Sequence, residues 1–149
     1  MAIRQARPDD APRVIQIWCG AVDATHHFLT SEDRAAIEAE VRDFLPHAPL
    51  WLSVDDRDKP LGFMLLDGPK MEALFVDSAF HGRGVGRALV SHALSQRAAL
   101  KTDVNEANTQ AVRFYERMGF TRTGRSEVDG QGRPYPLIHL VHRPQVQAP

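Results

Sequence analysis

The clearest chemical signal in the sequence is a run of three alternating glycines followed by an apolar segment. The glycines are Gly82, Gly84 and Gly86, within HGRGVG. Because glycine has no Cβ, the chain here is free to turn tightly and to direct successive backbone N–H groups toward one point. The apolar segment that follows predicts a helix, whose first N–H groups lack partners and carry partial positive charge. With Arg83 and Arg87 as flanking cations, the pattern predicts a phosphate or pyrophosphate site.

Two familiar phosphate-binding loops do not fit these residues. A P-loop requires lysine and then serine or threonine after its last glycine, whereas Arg87 and Ala88 follow Gly86. A dinucleotide-binding GxGxxG motif that began at Gly82 would require a small residue where Arg87 stands. The sequence therefore predicts neither of these two sites.

A glutamate in the apolar run MEALFV is the first candidate for a general base. Glu72 is the one ionisable residue of that run, and period-two alternation places it on the same strand face as Leu74 and Val76. If both faces of the strand are covered, burial raises the pKa of the Glu72 carboxylate toward neutrality. The alternative is a glutamate at a strand end that pairs with a basic residue such as Lys70.

These candidates have to be positioned by regular elements, and the hydrophobic periodicity predicts a mixed α/β order. Strands are predicted at residues 2–7, 50–54, 61–66, 71–76, 100–104, 120–128 and 137–141. Helices are predicted from Pro8 to about Val22, from the capping residue Ser31 to Pro46, after the glycine loop (residues 81–86), and from the capping residue Asn108 to Gly119. This order predicts a three-layer α/β/α sandwich around a mixed sheet.

Composition places the chain among ordinary globular proteins. It has 149 residues, 43% hydrophobic and 25% charged, which predicts a single domain over residues 1–149 with a flexible tail after about residue 143. A formal net charge of −1 gives no overall field for nucleic acid or an anionic membrane, so neither partner is expected. Cys19, the single cysteine, lies in an apolar helical run and is expected to be a buried hydrophobe. Without an internal disulfide or a signal-peptide pattern, the expected location is the cytoplasm.

The histidines in the second half of the chain do not form a metal-binding pattern. They are His81, His92, His139 and His142. They show neither an HExxH spacing nor a paired set of histidines and cysteines. No metal is predicted.

Residues 81–86 resemble the pyrophosphate loop of the GNAT superfamily of N-acetyltransferases. That motif is glutamine or arginine, two residues, glycine, one residue, then glycine or alanine, and His81 stands at its first position here. The predicted order of elements is similar to that of the family over essentially the whole chain, and segments such as TGRSEVDGQGRPYPL resemble one small bacterial subgroup. The resemblance implies acetyl-CoA as acetyl donor and a sheet that splays centrally, between the strands at 71–76 and 100–104.

The resemblance also assigns residues to coenzyme A. Main-chain groups of the strand before the glycine loop would pair with the pantetheine arm, the loop would hold the diphosphate, and an asparagine at position 105 or 108 would contact the cofactor. A backbone N–H near Val76 would stabilise the oxyanion. The implied coenzyme-binding residues are Leu74, Phe75, Val76, His81, Gly82, Arg83, Gly84, Val85, Gly86, Arg87, Asn105 and Asn108.

The reaction implied by the resemblance is direct transfer of an acetyl group to a primary amine, without an acyl-enzyme. Alkylamines have a pKa of about 10, so a site that works near neutral pH needs a route for the amine's proton. Besides Glu72, His26 and His27 are candidates, because the segment after the first helix borders the acceptor cleft in similar folds. Adjacent residues do not share a face, so at most one of the two is expected in the cleft, and a solvated or core-edge histidine is the alternative.

A tyrosine stands where the family places its acid. Tyr115 would protonate the leaving thiolate, ten residues after Asn105 and seven after Asn108. Periodicity alone favours a different role for Tyr115, as a buried aromatic residue of an amphipathic helix.

The sequence leaves the acceptor open. The candidate pocket residues combine aromatic and polar side chains, as a small or peptidic amine would require: Trp18, His26, Phe28, Glu72, Ser126 and Tyr135. A protein lysine or N-terminal amine is an alternative acceptor, favoured if a groove opens beside DGQGRPYP. A further alternative is a non-catalytic module that binds coenzyme A as a sensor or partner-binding subunit, because His81 departs from the motif. Both a monomer and a homodimer are compatible with the sequence.

Overall fold

The computed structural model describes residues 1–143, and the tail predicted after about residue 143 lies outside them. The strands are β1 (Ala2–Gln5), β2 (Trp51–Val54), β3 (Pro60–Asp67), β4 (Lys70–Val76), β5 (Leu100–Asn105), β6 (Thr121–Ser126) and β7 (Leu137–His142). The helices are α1 (Ala11–Thr25), α2 (Ser31–Phe44), α3 (Val85–Ser95) and α4 (Thr109–Arg117). Within residues 1–143, none of these helices combines the length and apolar character that a membrane span needs.

The seven strands form one mixed sheet in the order β1-β2-β3-β4-β5-β7-β6. Neighbouring strands run antiparallel except β4 and β5, which run parallel and are joined by a crossover through α3. The pairing between β4 and β5 consists of Lys70 opposite Lys101 and Met71 opposite Thr102. This short parallel pairing confirms the prediction of a mixed sheet that splays at its centre.

Helices cover both faces of the sheet and create two apolar clusters. On one face, α1 packs on β3 and β4 while α2 contacts α1, and the cluster includes Trp18, Leu52 and Phe63. On the other face, α3 and α4 bury residues such as Leu89 and Tyr115 against the strands. The architecture is the predicted three-layer α/β/α sandwich.

Side-chain caps fix the starts of two helices. The Thr30 hydroxyl accepts a hydrogen bond from Asp33 N at 3.1 Å and caps α2, so the cap lies one residue before the predicted Ser31. Asn108 Oδ1 accepts from Ala111 N at 3.2 Å and caps α4, as predicted. The first α-helix begins later than predicted, because Pro8–Asp10 forms a 3₁₀ turn ahead of α1.

Candidate active site

The site begins where β4 and β5 stop pairing, after Met71 and Thr102, at what we call the divergence point. Beyond it, β4 remains hydrogen-bonded to β3, and the Asp77 N–H still donates to a carbonyl oxygen of the β3 strand at 2.8 Å. Because the main-chain groups of successive strand residues alternate in direction, those of Leu74 and Val76 face the gap on the β5 side. The gap therefore presents main-chain donors and acceptors to an extended ligand lying between the strands.

A cleft of about 430 Å³ lies between the open edge of β4 and the helices α3 and α4. The predicted coenzyme residues that line it are Leu74, Phe75, Val76, His81, Gly82, Gly84, Val85, Gly86, Arg87 and Asn108. Asn105 is instead paired with Leu137 in the sheet, so Asn108 is the asparagine at the cleft. Arg83 is exposed, with its guanidinium 5.6 Å from the centre of the Phe80 ring, and does not line the cleft.

The glycine loop has the geometry of an anion-binding turn. Gly82 and Gly84 have φ angles of +78° and +83°, and a Cβ at either position would meet no atom within 4 Å. Glycine is therefore needed here for its backbone conformation rather than for space. α3 begins directly after Gly84, and the N–H groups of Val85, Gly86 and Arg87 have no hydrogen-bond partner among residues 1–143. These donors and the positive end of the helix favour an anion.

Gly86 has a different purpose from the other two glycines. A Cβ at Gly86 would lie 3.3 Å from Phe114 Cζ and 3.6 Å from a methyl group of Val76. The distance to the ring carbon is shorter than an ordinary van der Waals contact, whereas the distance to the Val76 methyl group is ordinary. The absence of a side chain at Gly86 thus lets the first turn of α3 approach α4 and the end of β4.

An ion pair fixes the chain just before the glycine loop. The Arg13 guanidinium on α1 pairs with the Asp77 carboxylate and donates to Pro60 O at 3.0 Å. Asp77 also accepts a hydrogen bond from Ala79 N at 2.9 Å, which caps a short 3₁₀ turn over Ser78–Phe80. Burial disfavours the charged carboxylate, but these donors lower the pKa of Asp77 below its usual value. Sequence patterns miss this pair, because its members are 64 residues apart.

Tyr115 closes the floor of the cleft. It is 5% exposed and packs edge-on against Phe114 and Phe120, with ring centroids separated by 5.1 and 5.2 Å. Burial raises the pKa of the phenol above its ordinary value, and the Thr102 hydroxyl opposes this rise only in part. Tyr115 is therefore protonated at neutral pH and able to donate. Thr102 in turn donates to Met71 O at 3.1 Å, which links Tyr115 to the divergence point.

His26 lines the same cleft from the end of α1. The Thr25 hydroxyl contacts both Ala21 O and His26 Nδ1 at 2.7 Å. A carbonyl oxygen only accepts, so the single hydroxyl proton belongs to the contact with Ala21, and Nδ1 has to donate to Thr25. The other ring nitrogen, Nε2, then has a free lone pair.

The surroundings of His26 keep this lone pair available. Burial lowers the pKa of His26, and the neighbouring His27 lowers it further, so the imidazole is neutral at neutral pH. His27 is exposed, with its Nε2 at 3.0 Å from Ala24 O, and does not line the cleft. One member of the adjacent pair thus faces the cleft.

Glu72 does not have the buried position that period-two alternation predicts. Met71 and Leu74 both pack in the cluster under α3 although they are three positions apart, because β4 contains a bulge in its pairing with β3. The bulge turns Glu72 to the other face, where its side chain is 39% exposed and 3.8 Å from Lys70 Nζ. The prediction that Glu72 is buried with Leu74 and Val76 is therefore wrong, and the alternative, a pair with Lys70, is what the structure contains.

Three of the predicted acceptor residues form an aromatic group beside the cleft. The Phe28 ring centroid lies 5.2 Å from that of His26 and 5.9 Å from that of Tyr135. The Tyr135 hydroxyl donates to the Asp33 carboxylate and accepts from Thr30 N at 3.3 Å, which fixes the loop before β7 against α2. These rings form an aromatic surface beside the cleft.

The other predicted acceptor residues lie elsewhere. Trp18 is 4% exposed in the cluster between α1 and the sheet, with the Arg34 guanidinium 4.8 Å from its ring. Ser126 lies on β6, where its hydroxyl contacts His139 Nε2 at 2.6 Å. The predicted acceptor residues are therefore not brought together in one place. Asp103, which pairs with Lys70 next to Glu72, was not among the candidates from the sequence.

Residues 22–135 match the family described as "Acetyltransferase (GNAT) domain". Two similar relatives are named peptidyl-lysine N-acetyltransferase YjaB, one from Escherichia coli (strain K12) and one from Salmonella typhimurium. The first is 54% identical over 142 residues, which cover 95% of this chain and 97% of the relative. The second is 54% identical over 140 residues, which cover 94% of this chain and 97% of that relative. The solution structure of apo-form YjaB from Escherichia coli has a TM-score of 0.91 at 55% identity, covering 95% of this chain and 96% of the other.

Proposed function

Because the chain belongs to the GNAT family of acetyltransferases, we propose that it transfers an acetyl group from acetyl-CoA to the side-chain amine of lysine in peptides or proteins. The chain is an N-acetyltransferase by family and by its 54% identity to enzymes of that name. The lysine acceptor is supported by the names of the same two relatives. The observation that carries the proposal is the gap between β4 and β5, which joins the glycine loop to Tyr115.

The residues of the cleft fit coenzyme A. The N–H groups of Val85, Gly86 and Arg87, which lack partners among the described residues, suit a diphosphate. The main-chain groups of Leu74 and Val76 suit the amides of a pantetheine arm. When bound, acetyl-CoA supplies an acetyl thioester whose carbonyl carbon is the electrophile. The Val76 N–H, which faces the gap, is the donor that we assign to the carbonyl oxygen.

His26 is the group that we assign to the proton of the acceptor amine. Its Nε2 has a free lone pair and its ring lines the cleft. An ammonium of pKa about 10 loses its proton to imidazole only at a cost, but the nitrogen becomes far more acidic as the C–N bond forms. His26 is therefore suited to accept the proton that the nitrogen loses during bond formation.

Tyr115 is the group that we assign to the leaving sulfur. Its buried phenol keeps its proton at neutral pH and donates it to the sulfur as the C–S bond breaks. Because a phenol of raised pKa is a weaker acid than a thiol of pKa near 8.5, the transfer is completed only when the phenolate is reprotonated. The phenol then regains a proton from solvent, so that one amine proton ends on the thiol and the other in solution.

Direct attack by the amine is favoured by what lines the cleft. Among the described lining residues, Thr25 and Tyr115 are the only ones with a hydroxyl group, and none is a cysteine. The Thr25 proton is committed to Ala21 O, and the pKa of Tyr115 is raised, so neither is an activated nucleophile. The hydroxyl groups of the cleft therefore offer no activated attachment point for an acyl-enzyme.

A pair of matched peptides tests the proposed acceptor. One peptide has an acetylated N-terminus and a central lysine, and the other has a free N-terminus and norleucine in place of lysine. Incubation with acetyl-CoA is expected to release thiol and add an acetyl group to the lysine peptide alone. Acetylation confined to the norleucine peptide would make the acceptor an N-terminal amine, and acetylation of free alkylamines without either peptide would make it a small molecule.

A further inference from the structure

A lysine of the protein itself lies across the divergence point. Lys70 Nζ is 3.0 Å from Asp103 Oδ2 on β5 and 3.8 Å from Glu72 Oε2 on β4. Glu72 and Asp103 are the residues directly after Met71 and Thr102, the last paired positions of the two strands. The Lys70 ammonium is thus held between two carboxylates at the place where the strands separate.

These charged groups lie on the opposite face of the sheet from Tyr115. Along β5, Thr102 and Val104 are buried in the α3–α4 layer, so Asp103 between them faces the other way. The side chains of Lys70, Glu72 and Asp103 remain 38%, 39% and 27% exposed. An acceptor that approaches the gap from this face meets the carboxylates before it reaches the position of the thioester.

Asp103 is held in place by a hydrogen-bonded chain that the proposed reaction does not use. His139 Nδ1 lies 2.6 Å from Asp103 Oδ1, and the Ser126 hydroxyl lies 2.6 Å from His139 Nε2. Burial opposes ionisation of Asp103, but the bonds from His139 and Lys70 lower the pKa of its carboxyl group below the usual value. Asp103 is therefore ionised and accepts a hydrogen bond from His139 Nδ1, whose other ring nitrogen contacts the Ser126 hydroxyl.

The order of groups resembles a nucleophile, base and orienting carboxylate, but Ser126 is in the wrong place for attack on the thioester. β6 is separated from β5 by β7, so Ser126 is about 10 Å from the gap at the usual spacing of strands. Of the three hydrogen-bonded groups, the Asp103 carboxylate is the nearest to the gap. The hydrogen bonds from Ser126 through His139 therefore serve to position Asp103.

A second cavity, of about 350 Å³, adjoins this carboxylate. It is lined by Lys70, Lys101, Asp103, Thr123, His139, Leu140, Val141 and Arg143. The cavity adjoins Asp103 on the face where the ammonium of Lys70 lies, and its other fully charged lining residues, Lys101 and Arg143, are cationic.

We infer that Glu72 and Asp103 form the subsite for the ammonium group of a substrate lysine, and that Lys70 occupies this subsite until a substrate displaces it. The inference rests on the proposed function. Lys70 presents the same chemical group as the proposed substrate, between two carboxylates, at the entrance to the gap. Displacement exchanges one ammonium for another and leaves the charge of the subsite unchanged, while Lys70 moves into solvent with its flexible side chain.

Substitution of the internal lysine is the decisive test. Lys70→Met removes the competing ammonium, so the KM for the capped lysine peptide is expected to fall about three- to fivefold, the scale of a partly exposed ion pair, with kcat unchanged. Asp103→Asn is expected to raise the same KM about tenfold without changing the KM for acetyl-CoA. Lys59→Met, in the exposed turn between β2 and β3, is the matched control and should leave both values unchanged.

Calorimetry separates this inference from the proposed function. With free coenzyme A present, the lysine peptide is expected to bind Lys70→Met more tightly than wild type by the same factor, and the norleucine peptide is expected to bind neither. An unchanged or raised KM for Lys70→Met, with the wild type active on the lysine peptide, would overturn the inference alone. A wild-type enzyme that acetylates no lysine peptide would overturn the proposed function.

Discussion

The side of the divergence point proposed for coenzyme A is formed largely by backbone, whereas the side proposed for the acceptor is formed by charged and titratable side chains from several strands. On the coenzyme side, the glycine loop, the start of α3 and the main chain of Leu74 and Val76 provide the polar groups. On the acceptor side, Lys70 on β4 pairs both with Glu72 on the same strand and with Asp103 on β5. The ligand groups expected on the two sides also differ: a diphosphate and the amides of the pantetheine arm on the coenzyme side, and an ammonium group on the acceptor side.

This difference suggests that the two specificities are separable. Backbone N–H groups survive most substitutions, so coenzyme binding depends on conformation, above all on the two glycines with positive φ. Side-chain carboxylates can be removed singly, so acceptor binding depends on residue identity. We therefore expect substitutions on the acceptor face to change the peptide KM, and substitutions in the glycine loop to change the acetyl-CoA KM. Residues at the boundary should change kcat.

The largest effect is expected at the boundary, from Tyr115→Phe. Loss of the phenolic proton should lower kcat about 100-fold, at the low end for a general acid, because the thiolate is a fair leaving group. The substituted ring keeps its packing against Phe114 and Phe120, so the Tm and the Kd for acetyl-CoA should remain those of the wild type. Steady-state kinetics measure the kcat, and calorimetry measures the Tm and the Kd. A kcat within twofold of wild type would exclude Tyr115 as the proton donor.

A smaller effect is expected from His26→Gln, about tenfold in kcat/KM for the peptide, because water in the half-exposed site can replace the base in part. The pH dependence is more diagnostic than the magnitude. The pKa of His26 is lowered, so the neutral base persists as pH falls below 6.5 and is lost only through that lower pKa.

Below the pKa of His26, log kcat/KM for the wild type should therefore rise by two units per pH unit, one for His26 and one for the amine. His26→Gln should show a slope of one throughout, because only the amine still titrates. His27→Gln, at the exposed neighbouring position, should retain the wild-type profile. Identical profiles for His26→Gln and wild type would remove His26 from the mechanism.

The same contrast explains how far the sequence predicted the molecule. The glycine loop and the order of elements were predictable, because glycines, caps and periodicity encode local conformation directly. Asn108 illustrates this, since its cap of α4 follows from its position before an amphipathic run. The side proposed for coenzyme A consists mostly of such local features, and most of the residues predicted for it line the cleft.

The side proposed for the acceptor depends on contacts between distant residues, and the burial predicted there for Glu72 is wrong. The bulge at Glu72 arises from how β4 pairs with β3, and no period along β4 alone reveals it. Asp103 and His139 are 36 residues apart and meet only because β5 lies beside β7. Thr25 next to His26 was a usable signal, because a helix-terminal threonine that bonds the preceding turn leaves an acceptor oxygen for its neighbour.

The smallest effect, and the sharpest check on a backbone-built coenzyme site, is expected from Gly84→Ala. Gly84 has a φ of +83°, a conformation that costs an alanine about 1 kcal/mol, so the loop should relax in the free protein and be restrained again on binding. The KM and Kd for acetyl-CoA should rise about fivefold, which is the same energy expressed as affinity, while the peptide KM remains unchanged. Gly130→Ala is the matched control, because its φ is not positive and a Cβ there would meet nothing within 4 Å. An equal rise in both KM values for Gly84→Ala would show that the two sides of the divergence point are coupled rather than separable.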